Sequence, residues 1–571
     1  MGGSLVDLIL TGGRIITLDG AGTIAEAVAI ASDRFIAIGS TKEISALAGP
    51  SCRRIDLGGR AVIPGLIDGH AHLDREGLKS ALPSLAGARS VADILARIRE
   101  LAQSAVPGAW IVTGPIGDPP EYQGVPANLR EGRAPTRWEL DEVSPHNPVY
   151  IRAPWGYWSN EAPLLSVANS LALAKAGIDC HTQPPSPLIE IARDPASGEP
   201  SGVFREATLM PIVEFTLMAA APNFTAALRH KALADSMAIY NRFGTTSVFE
   251  GHGVAQEVIS AYQEIRSTGR QTVRAHLTFS PGWSGIHPSD ISCMIRSWAQ
   301  WLRRRGSGDE WLRVAGLYTE IDEASEGRLR AQASPMTGWA GFSPDSGLPR
   351  SAVLELLQEA ARNEIRVVGI WANLLDLFAE VDRAIPISGC RWVLGHQSTL
   401  SPDQIALIRD LGVVLTTHTN RHIYKEGAKL RDRLGSDGVD AIVPLRRLID
   451  EGVPVAFGSD NLPPSLFHPI WHAVARMERS RKEIIAPAQR ISRLESLRCA
   501  TLGGAYLSFE EHDKGSIEVG KYADLAVLSD DPLTVDLAAL PSITAMVTVV
   551  GGKIVHQMPP GESDRTANSD A

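Results

Sequence analysis

Between Thr225 and Asp460 the chain alternates helix-type and strand-type stretches joined by short connections, a pattern few folds accept. A helical stretch runs from Thr225 to Phe243, and Gly244–Glu250 then reads as a strand leading to Gly251-His252. Further strands are predicted over Gln271–Phe279, with His276 inside it, and over Arg313–Ile321, Arg366–Trp371, Arg391–Leu394, Val413–His418 and Val453–Asp460. Helices are predicted over Val353–Asn363 and Ser401–Leu411. The segment Ala61–Ile67, apolar and rich in branched residues, supplies one more buried strand upstream. The fold class this predicts is α/β: a (β/α)8 TIM-like barrel.

In such barrels the chemistry collects where strands end at the C-terminal face. Ala61–Ile67 runs through Asp68-Gly69 into His70-Ala71-His72. On extended backbone, side chains at i and i+2 point to the same side, so both imidazoles can aim at one metal ion. A bare His-x-His also arises by chance as two polar loop residues. His396 ends the strand Trp392–Leu394, and Asp460 ends Phe457-Gly458-Ser459. Brought to one barrel face, these four side chains converge on the axis. The plainer alternatives are a polar strand cap for His396 and a helix N-cap for Asp460, ahead of Pro463-Pro464.

The two ends of the chain complete each other. Leu8–Leu10, Arg14–Thr17, Ala27–Ile30 and Phe35–Ile38 are short β-type runs, too few to bury much surface alone. Ala523–Leu528 and Met546–Val555 have the same texture. A β-sandwich assembled from residues 1–59 and 510–557 is therefore expected, with the barrel, 60–509, inserted between them and a disordered tail over 558–571. Val91, Ile94, Leu95, Ile98 and Leu101 recur at helical spacing behind a Ser90 cap. From Pro107 to Pro163 the chain is dense in Pro, Gly and Trp with little regular pattern, apart from a strand over Pro148–Arg152. Within it, Trp155, Tyr157 and Trp158 either pack a loop onto the barrel rim or wall a pocket for an apolar or aromatic substrate.

The charge balance, 55 basic against 65 acidic residues for a net -10, comes without a basic tract, which argues against nucleic acid and anionic membranes as partners. No apolar run reaches the ~20 residues of a membrane span, and no signal peptide is evident, so a cytoplasmic location is expected. The 5 cysteines are scattered without a CxxC pair, against a disulfide framework or a thiolate zinc site. A small-molecule substrate and a homo-oligomeric assembly are the expected partners.

Four segments carry a family resemblance: Val62–His72, Pro135–Pro145, Gly198–Glu206 and Gly515–Leu525. Together they resemble the metal-dependent amidohydrolase superfamily, in the branch that includes N-substituted formamide deformylase. The resemblance implies the same barrel-in-sandwich architecture and metal-assisted hydrolysis of a C–N bond in an amide, carbamate or related small molecule. It implies that Asp460 contacts the metal and carries the proton from water to the leaving amine. The chain also departs from the family pattern. Where two-metal members carry a bridging lysine on the fourth strand, Tyr318 stands here, with Glu320 and Asp322 close by. Where they carry a fifth-strand histidine, the run is Gly369-Ile370-Trp371-Ala372-Asn373, and Tyr157 stands near a further histidine position. The expected metal ligands are therefore His70, His72, His396, Asp460 and Asp322, around one divalent ion, zinc with iron or manganese as alternatives. Trp155, Tyr157, Trp158 and Glu320 are the expected substrate contacts. Glu250, His252, His276 and His418 are held in reserve as lining or packing residues. Two rival functions stay open: a non-hydrolysing ligand binder on the same fold, and a mononuclear deaminase.

Overall fold

The computed structural model describes residues 6–322, 329 and 337–559. The tail expected to be disordered falls, from residue 560 on, outside the described residues. Eight parallel strands form the ring of the central sheet: β1 (Leu66–Asp68), β2 (Thr245–Val254), β3 (Arg274–Phe279), β4 (Leu312–Tyr318), β5 (Val367–Gly369), β6 (Val393–Leu394), β7 (Val414–Thr417) and β8 (Val455–Phe457), with the short strand Ser307–Gly308 added antiparallel to β4. Their order in space is their order in the chain, as right-handed βα units require. Between β8 and β1 the ring is drawn together by the Gly69 N–H donating to the Phe457 carbonyl at 2.7 Å. Phe249, Val368, Val393, Val414 and Ala456, one from each of five strands, share a buried cluster with Leu507. The TIM-like barrel expected from the alternation is thus present. β2 runs four residues beyond its expected end, through Gly251 and His252 to Val254, with a register shift against β3 between Glu250 and Val254.

The expected strand Ala61–Ile67 is two strands. Ala61–Pro64 belongs to a six-stranded sheet, between Arg14–Ile16 and Leu525–Leu528; after Gly65 the chain enters the barrel as β1. Gly65 is required by crowding: a Cβ there would lie 2.2 Å from Thr246 Oγ1, on buried β2. The six-stranded sheet combines both ends of the chain, ordered Lys553–Gln557, Ala545–Val550, Leu525–Leu528, Ala61–Pro64, Arg14–Ile16, Ile24–Ala25. A four-stranded sheet of Arg34–Gly39, Ala27–Ala31, Leu8–Thr11 and Arg53–Asp56 faces it across a core containing Leu8, Val28, Phe35, Val62, Leu525 and Val549. A bidentate ion pair fastens these sheets to the barrel: Arg274 at the start of β3 donates to Asp524 at 2.8 and 3.1 Å, both side chains buried.

The Pro-rich region is more ordered than its composition indicates. A five-stranded sheet, ordered Ile189–Arg193, Pro200–Glu206, Leu164–Ala168, Val149–Ile151, Ile111–Thr113, runs through it and beyond. The helix Val91–Ser104, capped by Ser90 accepting from Asp93 N, packs Ile94 and Ile98 against this sheet's apolar side. No helix among the described residues is long and apolar enough to cross a membrane.

Candidate metal centre

Past β1 the chain turns so that His70 and His72 both enter the mouth of the barrel, each almost wholly buried. Asp68 makes the turn rigid. Its carboxylate accepts from His70 N–H at 3.0 Å, from Ser459 N–H at 3.0 Å and from the Ser459 hydroxyl at 2.5 Å. Asn461 completes the weld between β1 and β8, accepting from His72 N–H at 2.9 Å and donating to the His72 carbonyl at 2.5 Å, with the Tyr240 hydroxyl donating to it at 2.7 Å. His70 has room only because its neighbours lack side chains: a Cβ on Gly251 would lie 2.4 Å from its Nδ1, and one on Gly458 would lie 2.5 Å from its Cβ.

The four expected strand-end residues meet here. His70 Nε2 lies 3.1 Å from His396 Nε2 and 3.9 Å from Asp460 Oδ1, and His72 Nε2 lies 3.0 Å from Asp460 Oδ1. The ligand atoms of His70, His396 and Asp460 all fall within 4.8 Å of one another, and so do those of His70, His72 and His252. His396 and Asp460 both take positive φ, 56° and 51°, which costs energy at non-glycine positions and turns the side chains inward.

Residues held in reserve divide. His252, at the far end of β2, stacks on Phe342 with ring centroids 4.5 Å apart and stands in the ligand cluster. His418, at the end of β7, places Nε2 3.0 Å from Asp460 Oδ2, the oxygen facing away from His72. Glu250 backs His72, with Oε2 3.7 Å from its Nδ1, while Oε1 accepts from Tyr262 and from Leu73 N–H. A carboxylate behind a ligating imidazole is the usual means of fixing its tautomer. His276 instead pairs with Glu510 at 3.0 Å, away from the cluster.

Asp322 is not brought to this group: its N–H donates to the Leu348 carbonyl and its Cβ lies beside Gly347. Glu320 accepts from Tyr318 at 3.1 Å, Ser346 at 3.0 Å and the Trp371 indole at 3.3 Å, so it braces the rim. Tyr318 ends β4 fully buried, and Ile370-Trp371 follow β5, so neither strand end offers a lysine or an imidazole. Trp155 and Tyr157 line a small cavity of about 20 Å³ over the cluster, with Arg75, His252, Trp371, His396, His418, Arg421 and Asp460. Trp158 turns away, stacked on Tyr122 and edge-on to Trp339. A larger cavity, about 540 Å³, begins two residues beyond His418 and Asp460, at Asn420 and Leu462, and extends to His468 and Trp471.

The electrostatics favour cation binding. Burial holds His70, His72, His252, His396 and His418 below the ordinary imidazole range, so they are neutral and free to ligate near pH 7. Burial alone would push the Asp460 carboxyl up; the charges around it, the Arg75 guanidinium among them, outweigh that and hold it below the ordinary carboxylate range. His70 Nδ1, His72 Nε2 and Glu250 Oε2 are buried without a hydrogen bond, a costly state unless another group engages them. Neutral nitrogens with one carboxylate, some of them unsatisfied, fit a divalent ion of the zinc type.

This barrel, joined to sheets built from both ends of the chain and carrying imidazoles and an aspartate at its C-terminal face, is of the metal-hydrolase kind. The model of the amidohydrolase family matches residues 53–556, and the chain belongs to that family. It is 27% identical over 585 residues to "Protein LONG AFTER FAR-RED 3" of Arabidopsis thaliana, covering 97% of this chain and 92% of that protein. It is 26% identical over 584 residues to an N-substituted formamide deformylase of Arthrobacter pascens, covering 96% and 98%. Among solved structures, an uncharacterized metal-dependent hydrolase from Pyrococcus horikoshii OT3 shares the fold, with a TM-score of 0.66 at 20% identity over 93% of this chain and 99% of that one.

Proposed function

We propose that the protein hydrolyses a C–N bond, in an amide, carbamate or related small molecule, with the help of one divalent ion held by His70, His72, His396 and Asp460. The observation that carries this reading is the 3.1 Å separation of His70 Nε2 and His396 Nε2. Two ligand atoms about 2.0–2.1 Å from one tetrahedral ion lie about 3.3 Å apart, so these nitrogens suit a shared ion better than separate ones. The deformylase likeness supports C–N chemistry, and the absence of a lysine at the end of β4 supports a single ion.

When bound, the ion supplies Lewis acidity for the carbonyl and makes water a better proton donor. Asp460 is ionised and stands within 3.0 Å of His72, so its carboxylate takes the water's proton and passes it to the departing nitrogen. His418 holds the second Asp460 oxygen, which keeps the first turned toward His70 and His72. Glu250 steadies His72 from behind. Trp155 and Tyr157 shield the cavity from bulk water and present apolar faces to the substrate.

The test is metal analysis of protein purified without chelator, followed by a screen against formamides, amides, carbamates and amino-heterocycles. Near one equivalent of metal and turnover of an amide or carbamate is the expected result. Two equivalents with a bridging carboxylate would refute the single ion. Turnover confined to amino-heterocycles would make the chain a deaminase, and tight binding without turnover would make it a ligand binder.

A further inference from the structure

The larger cavity, about 540 Å³, has no part in the reaction proposed above. Three stretches far apart in the chain wall it: the Pro-rich region, the π-helix Asn420–Lys425 and the helix Phe467–Ala475. It shares no lining residue with the small cavity over the imidazoles. Lys425, only 8% exposed, ties the two walls together. Its ammonium donates to the carbonyl of Trp158, next to Tyr157 of the small cavity, at 2.8 Å and pairs with Glu121 of the large one at 2.6 Å.

The charges around the large cavity are matched within the protein. Glu121 pairs with Arg479 at 2.8 Å as well as with Lys425, so both of its oxygens are occupied, and Asp118 pairs with Arg89 at 2.7 Å. Burial keeps the His468 imidazole neutral. A charged ligand therefore finds no counter-ion waiting for it. What the wall offers instead is flat apolar surface and carboxamide. Tyr424 and Trp471 are each half-buried, with ring centroids 5.9 Å apart and planes at 76°, and Pro119, Pro120 and Pro463 extend that surface. Gln123, Asn128 and Asn420 supply the carboxamides. The Asn128 NH2 donates to the Gln123 carbonyl at 3.1 Å. Asn420 is only 6% exposed, yet its Nδ2 has no partner among the described residues, and neither has Nε2 of Gln123.

A buried NH2 without an acceptor is costly, and a ligand that supplies the acceptor removes the cost. We propose that this cavity is a second binding site, separate from the metal centre, for a neutral, flat heteroaromatic ligand with a lactam edge, an N–H beside a carbonyl. Tyr424 and Trp471 take the ring by stacking and edge contact. A carboxamide presents a donor and an acceptor side by side, the complement of a lactam. The volume lies within the range of small-molecule sites, about 300–1,000 Å³. Binding here depends neither on the number of metal ions nor on the bond that the centre breaks.

The experiment is titration calorimetry of the full chain with quinolin-2-one and coumarin, bicycles of one shape in which the ring atom beside the carbonyl is N–H in the first and oxygen in the second. The expected result is one quinolin-2-one per chain, bound about tenfold tighter than coumarin, which leaves a carboxamide oxygen unpaired. Gln123→Leu combined with Asn420→Leu should bring the two probes within about twofold. Trp471→Ala should weaken both by about tenfold. Removing metal with a chelator should change neither affinity, nor should Trp371→Ala, at the rim of the small cavity. Equal affinity for the two probes, or no binding of either, would overturn the proposal even if the double variant does not fold. Binding that survives Trp471→Ala but is lost on chelation or in Trp371→Ala would place the probe over the metal centre and overturn the separate site. A failed hydrolysis screen would count against the function proposed above and leave these affinities standing.

Discussion

Gly251→Ala places a methyl group against His70 and is the sharpest test of the centre. The new Cβ would lie 2.4 Å from His70 Nδ1 and 3.0 Å from its Cγ and Cε1, where ordinary contact begins near 3.4 Å. The ring must therefore move by about 1 Å, and Gly458 shows that the backbone behind it is packed just as closely, a Cβ there meeting His70 at 2.5 Å. Metal–ligand distances tolerate about 0.2 Å, so a displacement of this size takes Nε2 out of coordination range. The expected loss is about 10- to 100-fold in metal affinity, measured by competition with a chromophoric chelator and by metal content after dialysis. Overpacking should also cost about 1–3 kcal/mol of stability, read from a thermal melt. Gly20→Ala is the control, because a Cβ at Gly20 meets nothing within 4 Å. A folded Gly251→Ala protein with unchanged metal affinity would show that His70 is not a ligand.

Asp460→Asn should lower turnover by about 100- to 10,000-fold with the fold intact, since the amide cannot take a proton; a near-normal rate would move the base elsewhere. Asp524→Ala leaves Arg274 buried without its partner and should cost about 3–5 kcal/mol in urea denaturation, whereas a change below about 1 kcal/mol would mean that the pair does not fasten sandwich to barrel. Burial holds the His468 imidazole down at about 4, against 6.5 for the free group. The unfolded chain therefore takes up a proton first as the pH falls, and stability drops between pH 6.5 and 4, by about 3 kcal/mol in all. His468→Phe should remove that part of the pH dependence, and identical curves for the two proteins would refute the assignment.

The barrel and the His-x-His pair were legible because both are local signals: alternating periodicity, and two residues on one side of an extended segment. His396 and Asp460 were legible because each ends a strand. The supporting residues were not. Asn461 acts on His72 across 389 positions, a contact that no local pattern encodes. His252 was undervalued because β2 continues past Glu250 through a register shift, carrying its imidazole into the cluster. Of the sheet through the Pro-rich region only the strand at Pro148–Arg152 was legible, because the other strands are only 3 to 7 residues long and carry no distinct periodicity. Asp322 lies close in sequence to the expected fourth-strand position, but beyond β4 the chain pairs Glu320-Ile321 with Gly347-Leu348 and carries its backbone away.

The strand hand-off at Gly65 has a consequence for the order in which the protein is made. Ala61–Pro64 is held in register by Leu525–Leu528, which the ribosome adds more than 450 residues later. Until then one neighbour of the strand that feeds β1 is missing, and Gly65 N–H lacks the Asp524 carbonyl that it reaches at 2.9 Å in the finished fold. The first two imidazoles are thus among the earliest parts of the barrel to be synthesised and among the last to be anchored. A nascent chain stalled short of residue 524 would carry every histidine of the centre without the clamp that sets their spacing.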